Sequence, residues 1–359
     1  MHAMSEVRMA SFNLCNFALP RVHWHRRGAG RTYTDAQWMQ KRQWIAETLA
    51  AIDADIVAFQ EVVSVDALRA LAAEAGYAHF ACATEPRFSR DDPDIYVNST
   101  VAIASRFPIT ASAEIKTFET IIDQTLLDRA ATYSRRPLRC AIDVPGLGET
   151  IVYAAHFKSQ GALVRDATID AIADWDEKLD RFYVERMYAG IDQVSKRAAE
   201  AGAIYLQVRE DLQADIDRPV IVLADLNDGP GSHTLAILTQ AQPIEDGIGS
   251  VDLADVPPAH RFRRYIHRLY DAYALPAHAD FERPVTFHAD RRSSVLDYAI
   301  VSNGLHPQNP NGRGAVVGHS VFDAHFAAGA PAATTSDHAP VVVTIRARRT
   351  EAGSPVIGL

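Results

Sequence analysis

Four short, largely apolar runs in this chain each stop at a residue that can bind a cation or move a proton. Met9-Ala10-Ser11-Phe12 ends at Asn13, and Ile56-Val57-Ala58-Phe59-Gln60 ends at Glu61. Ile151 to Ala155 ends at His156, and Val220 to Ala224 ends at Asp225, with Asn227 two residues on. Runs of this length suit strands buried in a sheet and are short for buried helices. The rim of a sheet gathers side chains from distant parts of a sequence into one pocket. Two further runs carry polar residues differently. Asp297 lies inside Val295-Leu296-Asp297-Tyr298-Ala299-Ile300, where burial obliges it to find a partner. Asp337-His338 comes just before Ala339-Pro340-Val341-Val342-Val343.

The remaining pattern mixes strands with helices. Thr100 to Ser105 is another short run, and Leu138 to Val144 with Thr150 to Ala155 reads as a strand pair through the turn Pro145-Gly146-Leu147-Gly148. Trp44, Ile45, Thr48, Leu49 and Ile52 mark one helix face. Ser64 is placed to cap a helix carrying Leu68, Leu71 and Ala75, with Gly76 as its stop. Residues from about Asp166 to Asp215 read as largely helical. This is an α/β class with mixed rather than all-parallel sheets. Asn303 to Thr335, rich in Gly, Pro, Asn and Ala, reads as a long loop, and Arg346 to Leu359 as a frayed tail. No repeat and no dividing linker is visible, so one domain over residues 5–346 is expected, followed by a flexible tail at 347–359.

With 359 residues, 48% of them hydrophobic, the chain can bury a large core. A net charge of -9 argues against a tight, sequence-blind grip on a long phosphate backbone, although a bound metal could supply positive charge locally. Cys15, Cys82 and Cys140 are odd in number and far apart, which argues against a disulfide framework or a thiolate zinc site. The start lacks the apolar run of a signal peptide, and no stretch approaches the roughly 20 apolar residues of a membrane span. A cytoplasmic protein with no membrane span is the expectation; its oligomeric state is left open.

Carboxylates and an Asn carbonyl are hard oxygen ligands suited to Mg²⁺ or Mn²⁺, and two histidines without thiolates suit phosphate handling better than structural zinc. Taken singly, a carboxylate at a strand end is usually a turn former or a helix cap, and a lone histidine usually a satisfied core residue. Taken together, Asn13, Glu61, His156, Asp225, Asn227, Asp297, Asp337 and His338 fall at strand ends all along the chain. They are expected to converge in one cleft at the rim of two packed sheets.

In that order the segments Ser11-Phe12-Asn13, Phe59-Gln60-Glu61-Val62, Ala104 to Ile109, Ala155-His156-Phe157-Lys158-Ser159, Leu223 to Asp228, Leu296-Asp297-Tyr298 and Ser336-Asp337-His338 make the chain similar to the endonuclease/exonuclease/phosphatase superfamily. The His-Phe-Lys-Ser form looks most like bacterial members labelled nucleases. The resemblance implies a four-layer α/β sandwich of the DNase I-like kind, with two mixed sheets face to face and helices outside. It implies a divalent metal, Mg²⁺ or Mn²⁺, ligated by Glu61 with Asn13 and Asp337 nearby. It implies that Asp225 orients or deprotonates the attacking water and that Asn227 holds a phosphate oxygen or the water. His338 would bind a non-bridging oxygen, with Asp297 setting its tautomer and favouring its charged form. His156 would sit across the scissile phosphate, and Lys158 would add positive charge.

The chain departs from the family pattern at three places. Cys15 stands where many nucleases of this fold carry an acidic residue, which puts a second metal in doubt. Val63 stands where DNA-cutting relatives often carry Arg or Lys, and Thr100-Val101 replaces a glycine. Two segments mix cations with aromatics in the manner of single-strand nucleic-acid sites: His23 to Arg27 with Arg31, and Arg261 to Arg264 with His267 and Arg268. Arg263 and Arg264 are the candidate substrate contacts there. The substrate is expected to be a phosphate ester, and a short or single-stranded nucleic acid or a nucleotide suits these segments. A small-molecule or lipid-headgroup phosphoesterase and a catalytically silent binding module on the same fold stay open beside it. The intact acid, base and histidine positions count against the last.

Overall fold

Two six-stranded sheets stand face to face in the computed structural model, which describes residues 6–348 except 29, 116, 126–131, 162–163, 165–166, 242–249, 262–266, 276–281 and 290–291. In chain order the elements begin β1 (Glu6–Phe17), β2 (His23–Trp24), α1 (Asp35–Ile52), β3 (Ile56–Val62), α2 (Val65–Glu74) and β4 (His79–Cys82). Next come β5 (Arg87–Phe88), β6 (Ile95–Asn98), β7 (Thr100–Ser105), β8 (Ile109–Glu114), α3 (Phe118–Gln124), β9 (Leu138–Val144) and β10 (Gly148–His156). Then follow α4 (Ala167–Asp170), α5 (Trp175–Ala214), β11 (Val220–Asp225), α6 (His233–Thr239) and α7 (Pro258–Arg261). The last are β12 (Leu269–Asp271), β13 (Phe287–Ala289), β14 (Arg292–Ser294), β15 (Asp297–Ser302), β16 (Gly314–Val321) and β17 (Val341–Ala347).

One sheet runs β16-β17-β1-β3-β7-β4 and the other β12-β15-β11-β10-β9-β8. Both are mixed: β1 pairs parallel with β3 and antiparallel with β17, and β10 pairs parallel with β11 and antiparallel with β9. Period-two alternation sends each strand's side chains to two apolar layers. Val7 and Met9 of β1, Ile56 and Ala58 of β3, Val152 and Ala154 of β10, Ile221 and Leu223 of β11, and Val341 and Val343 of β17 meet between the sheets. Their neighbours Ala10, Phe12, Val57 and Phe59 face outward against Ile45, Leu49 and Ile52 of α1 and Leu68 and Leu71 of α2. On the far side Tyr153, Val222 and Ile300 meet Ile204, Val208 and Leu212 of α5. The result is helix, sheet, sheet, helix: the four-layer sandwich expected from the sequence.

The ends of the helices follow local chemistry. Thr34 accepts the Gln37 N–H at 3.2 Å while the Gln37 side chain bonds back to the Thr34 N–H at 3.0 Å, a reciprocal cap. Asp174 caps α5 by accepting the Glu177 N–H at 2.9 Å. Ser64 sits at the start of α2 but makes no cap bond; its hydroxyl accepts the Leu19 N–H at 2.8 Å instead. The turn between β9 and β10 needs its glycine: Gly146 has φ +80°, and a Cβ there would lie 2.9 Å from the Cβ of Ala347.

Two regions differ from the sequence reading. The stretch read as a long loop contains β16, an edge strand paired antiparallel with β17. It is only half-buried and begins at Gly314 with Gly318 inside it, so its apolar signal is diluted. At the other end β17 runs through Ala347, and the Arg348 N–H donates to the Arg313 carbonyl at 2.8 Å. Residues 349–359 lie outside the described residues. Among the described residues no helix is long and apolar enough to cross a membrane.

α5 is unusual in length, 40 residues or about 60 Å. Its C-terminal half is anchored on the second sheet through Ala201, Ile204, Val208 and Leu212. Its N-terminal half leaves a row of large apolar side chains exposed, from Trp175 to Val194.

Candidate active site

The polar strand ends continue the inward-facing register of the apolar core. In β1, Met9 points between the sheets, so Asn13, four residues on, points the same way at the rim. In β10 the inward series Val152-Ala154 reaches His156, and in β11 the series Ile221-Leu223 reaches Asp225. Asp297 opens β15 ahead of the inward-facing Ala299 and Val301. These last three strands are neighbours, and their ends are in register: His156 lies opposite Asp225, and Asp225 opposite Asp297. One row of three ionisable side chains therefore faces the opposite sheet.

The opposite side answers with Asn13 of β1 and with His338 on the loop that leads into β17. Asn13 Nδ2 donates to Asp225 Oδ2 at 2.9 Å, across 212 residues of sequence. His338 Nδ1 lies 2.8 Å from Asp297 Oδ2, and its Nε2 lies 3.8 Å from Asp225 Oδ2. His156 Nε2 is 3.3 Å from that same oxygen. Asp225 Oδ2 is thus the hub of the cleft. Asn227 supports it, with its N–H on Asp225 Oδ1 at 2.8 Å and its amide Nδ2 donating to the Phe157 carbonyl at 3.1 Å. Asn13, His156, Asp225, Asp297 and His338 are all buried.

Glu61 and Asp337 stand beside this row, half-buried. Glu61 Oε2 accepts the Asn16 N–H at 2.8 Å. The charges of Glu61 and Asp337 both act on the Cys15 thiol, the Tyr33 hydroxyl and the Lys41 ammonium, so the two carboxylates flank one space. Asn13 Oδ1 accepts the Cys15 N–H at 3.0 Å and so turns toward that side. Eight described non-glycine residues have a left-handed backbone, and four of them are here: Cys15, Asn16, Glu61 and Asn227. Both β1 and β3 break register at this point, after Asn13 and after Phe59. Each left-handed residue costs about 1 kcal/mol or more, and such strain persists where the surroundings over-determine it. Here the N–H groups of Cys15, Asn16 and Asn227 are each held by a site side chain.

The electrostatics follow from burial and neighbours. Burial pushes Asp225 up to about 7, helped by the charges of Asp297 and Glu61 and opposed by His338 and the Asn227 N–H. Burial also works against charge on His338, but the carboxylates of Asp297 and Asp225 outweigh it and hold the imidazole well above the usual histidine range. His156 goes the other way: burial, with the nearby charges of Arg135, His338 and Lys158, keeps it neutral. The two histidines flanking Asp225 are therefore in opposite protonation states.

Several supporting residues escaped the sequence reading. Lys41 is fully buried and donates to the carbonyls of Thr335 at 2.6 Å and Ala332 at 3.2 Å, holding the loop that carries Asp337 and His338. Its signal was present, since it falls on the stripe of Ile45, Leu49 and Ile52, where a lysine has no business as a surface charge. Ser336 bridges the sheets by donating to the Asn13 carbonyl at 2.8 Å and accepting the His338 N–H at 3.0 Å. Thr286 Oγ1 receives the N–H groups of Leu296 and Asp297 at 2.9 and 3.0 Å. Buried Glu200 of α5 holds the N–H groups of Ser134 and Lys158, both at 2.7 Å. Lys158 is half-buried beside Arg135, Lys196 and Arg197, so one wall of the cleft is cationic. Arg263 and Arg264 lie outside the described residues. In the other basic segment, Arg27 is paired with Asp92 and Asp94.

The sequence profile of the Endonuclease/Exonuclease/phosphatase family matches residues 10–338. Comparison with curated protein sequences returns no match. Among solved structures, the endonuclease/exonuclease/phosphatase from Bacteroides vulgatus is similar over 96% of this chain and 100% of its own, with 15% identity and a TM-score of 0.54. The human Nocturnin catalytic domain with bound sulfate anion is similar over 96% and 95%, with 17% identity and a TM-score of 0.53. D. rerio TDP2 complexed with single strand DNA product is similar over 95% and 99%, with 11% identity and a TM-score of 0.51. At these identities the likeness is one of fold.

Proposed function

The chain belongs to the endonuclease/exonuclease/phosphatase family, and from that premise we propose that it hydrolyses phosphodiester bonds of nucleic acids or nucleotides, by in-line attack of a water aligned at Asp225. The observation that carries this reading is the in-register row His156, Asp225 and Asp297 facing Asn13 of the other sheet and His338 of the loop before β17. A buried carboxylate raised to about 7 is poised to take a proton from water near neutrality. His338, kept charged by Asp297, donates from Nε2 to a non-bridging phosphate oxygen. His156, neutral and across Asp225, assists the leaving group. Asn227 sets the Asp225 carboxylate through its backbone N–H and its side-chain amide. Lys158 adds positive charge on the cationic wall. These are electrostatic and positioning roles, which dominate phosphoryl chemistry.

The residues fit a hard divalent cation. Four carboxylates, from Glu61, Asp225, Asp297 and Asp337, bear on this cleft, against the charges of Lys41 and His338, and Asp297 Oδ1 is buried without a partner. Asp225, Asp297 and His338 offer ligand atoms within 4.8 Å of one another. Asp297 and His338 already satisfy each other there, which favours Glu61, Asp337 and Asn13 Oδ1 as the holders of Mg²⁺ or Mn²⁺. Such an ion supplies Lewis-acid polarisation of the phosphoryl group.

The structure of D. rerio TDP2 with a single-strand DNA product lends support to short or single-stranded substrates here. One observation favours a second reading, a small-molecule or lipid-headgroup phosphoesterase. Arg27 is already neutralised by two aspartates, which weakens the segment His23–Arg27 as a grip on a polyanion. A metal-supplemented screen of DNA, RNA, bis-p-nitrophenyl phosphate and phosphomonoesters decides between them. The expected outcome is diester cleavage that chelator abolishes and Mg²⁺ or Mn²⁺ restores, with Glu61→Gln losing metal affinity and activity together. Full activity in excess chelator overturns the mechanism. Turnover of a headgroup or sugar phosphate without oligonucleotide cleavage selects the second reading.

A further inference from the structure

In the basic segment His23–Arg27 it is the aromatic residue, not the paired arginine, that the fold sets beside the cleft. Trp24 lies on β2, which pairs with β6, and its N–H donates to the Arg31 carbonyl at 2.9 Å, so its backbone is held at two points. Its indole packs on a small apolar cluster of Ala18, Val63 and Tyr96. Val63 thereby gains a use: where DNA-cutting relatives often carry a cation, this chain carries a support for an indole.

The rings of Trp24 and Tyr33, 5.1 Å apart, wall one side of a cavity of about 520 Å³. Cys15 and Asn16 line another side, and Ala332 and Ala333 a third. That places the cavity against the carboxylates that fit the metal. The Cys15 N–H is held by Asn13 Oδ1 and the Asn16 N–H by Glu61 Oε2, while Ala332 lies on the loop that Lys41 ties and that carries Asp337.

We propose that this cavity is the base subsite of the substrate, taking one unstacked nucleobase attached to the phosphate on the metal side of the cleft. The inference rests on the reading of the cleft as a phosphodiesterase and narrows it to nucleotides and unpaired strands, since a base seated here has left any duplex. Three observations choose a base. The wall is aromatic, and stacking on such a wall tolerates every base. None of the described residues that line the cavity is charged, so a second phosphate would find no counter-charge there. Polar groups stand at the edge of the wall without partners. Gln37 gives its side-chain oxygen to the N–H and hydroxyl of Thr34, which leaves its amide N–H groups for a ligand. Thr32 also lines the cavity, and among the described residues its buried hydroxyl has no hydrogen-bond partner, an orphan of the kind a ligand resolves. An acyl chain would leave these groups unpaired. A quaternary ammonium also favours aromatic walls, but Gln37 turns N–H donors toward it and no carboxylate lines the cavity.

Tryptophan fluorescence of the full chain in Mg²⁺ reads the subsite without any turnover. Adenosine 5′-monophosphate is expected to quench, whereas ribose 5-phosphate, with the phosphate but no base, is not. Trp24→Phe keeps an aromatic wall and should abolish the quench, leaving Trp38, Trp44 and Trp175 silent. Thr32→Val removes a hydroxyl that bonds to nothing in the protein, so the melting temperature should hold while affinity for adenosine 5′-monophosphate falls about fivefold. With a common leaving group, the preference for thymidine 5′-(p-nitrophenyl phosphate) over methyl p-nitrophenyl phosphate should fall roughly tenfold or more in Trp24→Ala. A protein that cleaves bis-p-nitrophenyl phosphate yet is quenched equally by both phosphates, or by neither, overturns the subsite and leaves the hydrolase standing. Quenching by phosphocholine in place of adenosine 5′-monophosphate also overturns it. Base-dependent quenching without hydrolysis of any diester upholds the base site and refutes the hydrolase instead.

Discussion

At the scale of single residues the cleft turns on what surrounds each ionisable group rather than on its type. His156 and His338 flank one carboxylate oxygen at 3.3 and 3.8 Å, yet one is kept neutral and the other charged. The difference is Asp297, which gives His338 a second buried carboxylate, on its Nδ1, whereas among the described residues His156 Nδ1 has no partner. Asp297→Asn is therefore expected to leave the fold intact while lowering kcat on bis-p-nitrophenyl phosphate by roughly 10²–10⁴, the range seen when the partner of a catalytic histidine is mis-set. Circular dichroism and a thermal melt serve as the control. Wild-type turnover in the folded variant would make Asp297 purely structural.

At the scale of elements, the sheet rim is held by contacts between segments far apart in sequence. Lys41 of α1 ties the loop before β17 through two backbone carbonyls. Lys41→Met keeps the volume and removes the donors, leaving buried carbonyls unpaired. Urea denaturation should show a loss of about 1–3 kcal/mol, and kcat well below the melting range should fall further than that loss explains, because Asp337 and His338 ride on the freed loop. The sequence announced the strands that bear the site, since Val220 to Ala224 ending at Asp225 reads as a buried strand without any structure. It also carried the four layers, through the resemblance of its ordered motifs. It did not reveal β16, whose glycines and exposed face dilute the period-two signal. Nor could it reveal that Asn13 meets Asp225, because a pairing across 212 residues depends on how the sheets dock and not on any local pattern. Thr286, and the part that Ser336 plays within its motif, were invisible for a plainer reason: serine and threonine are common, and only three-dimensional placement makes these two hydroxyls the anchors of His338 and Asp297.

At the scale of the whole molecule, stability should depend on acidity through a histidine that the proposed chemistry does not use, His319. His319 of β16 is lowered to about 4 by burial, with Arg283 adding to the effect and Asp271 opposing it. Its folded-state pKa lies below its unfolded value of about 6.5, so the unfolded chain binds more protons between the two. The contribution of neutral His319 is present above about pH 6.5 and is lost as pH falls toward 4, amounting to at most about 3 kcal/mol. Asp225 slopes the other way over a similar range, so the test is a difference: His319→Gln should lose less stability than the wild type between pH 7 and pH 4 in parallel urea titrations. Equal losses would show that His319 is already protonated in the folded state. The cleft itself has a consequence of another kind. Its two closest couples join the second sheet to the first: Asp225 meets Asn13 of β1, and Asp297 meets His338 on the loop that leads into β17. Neither sheet alone contains a working set, however well formed it is. The cleft is thereby completed only when the two halves dock, like a tool in two keyed parts.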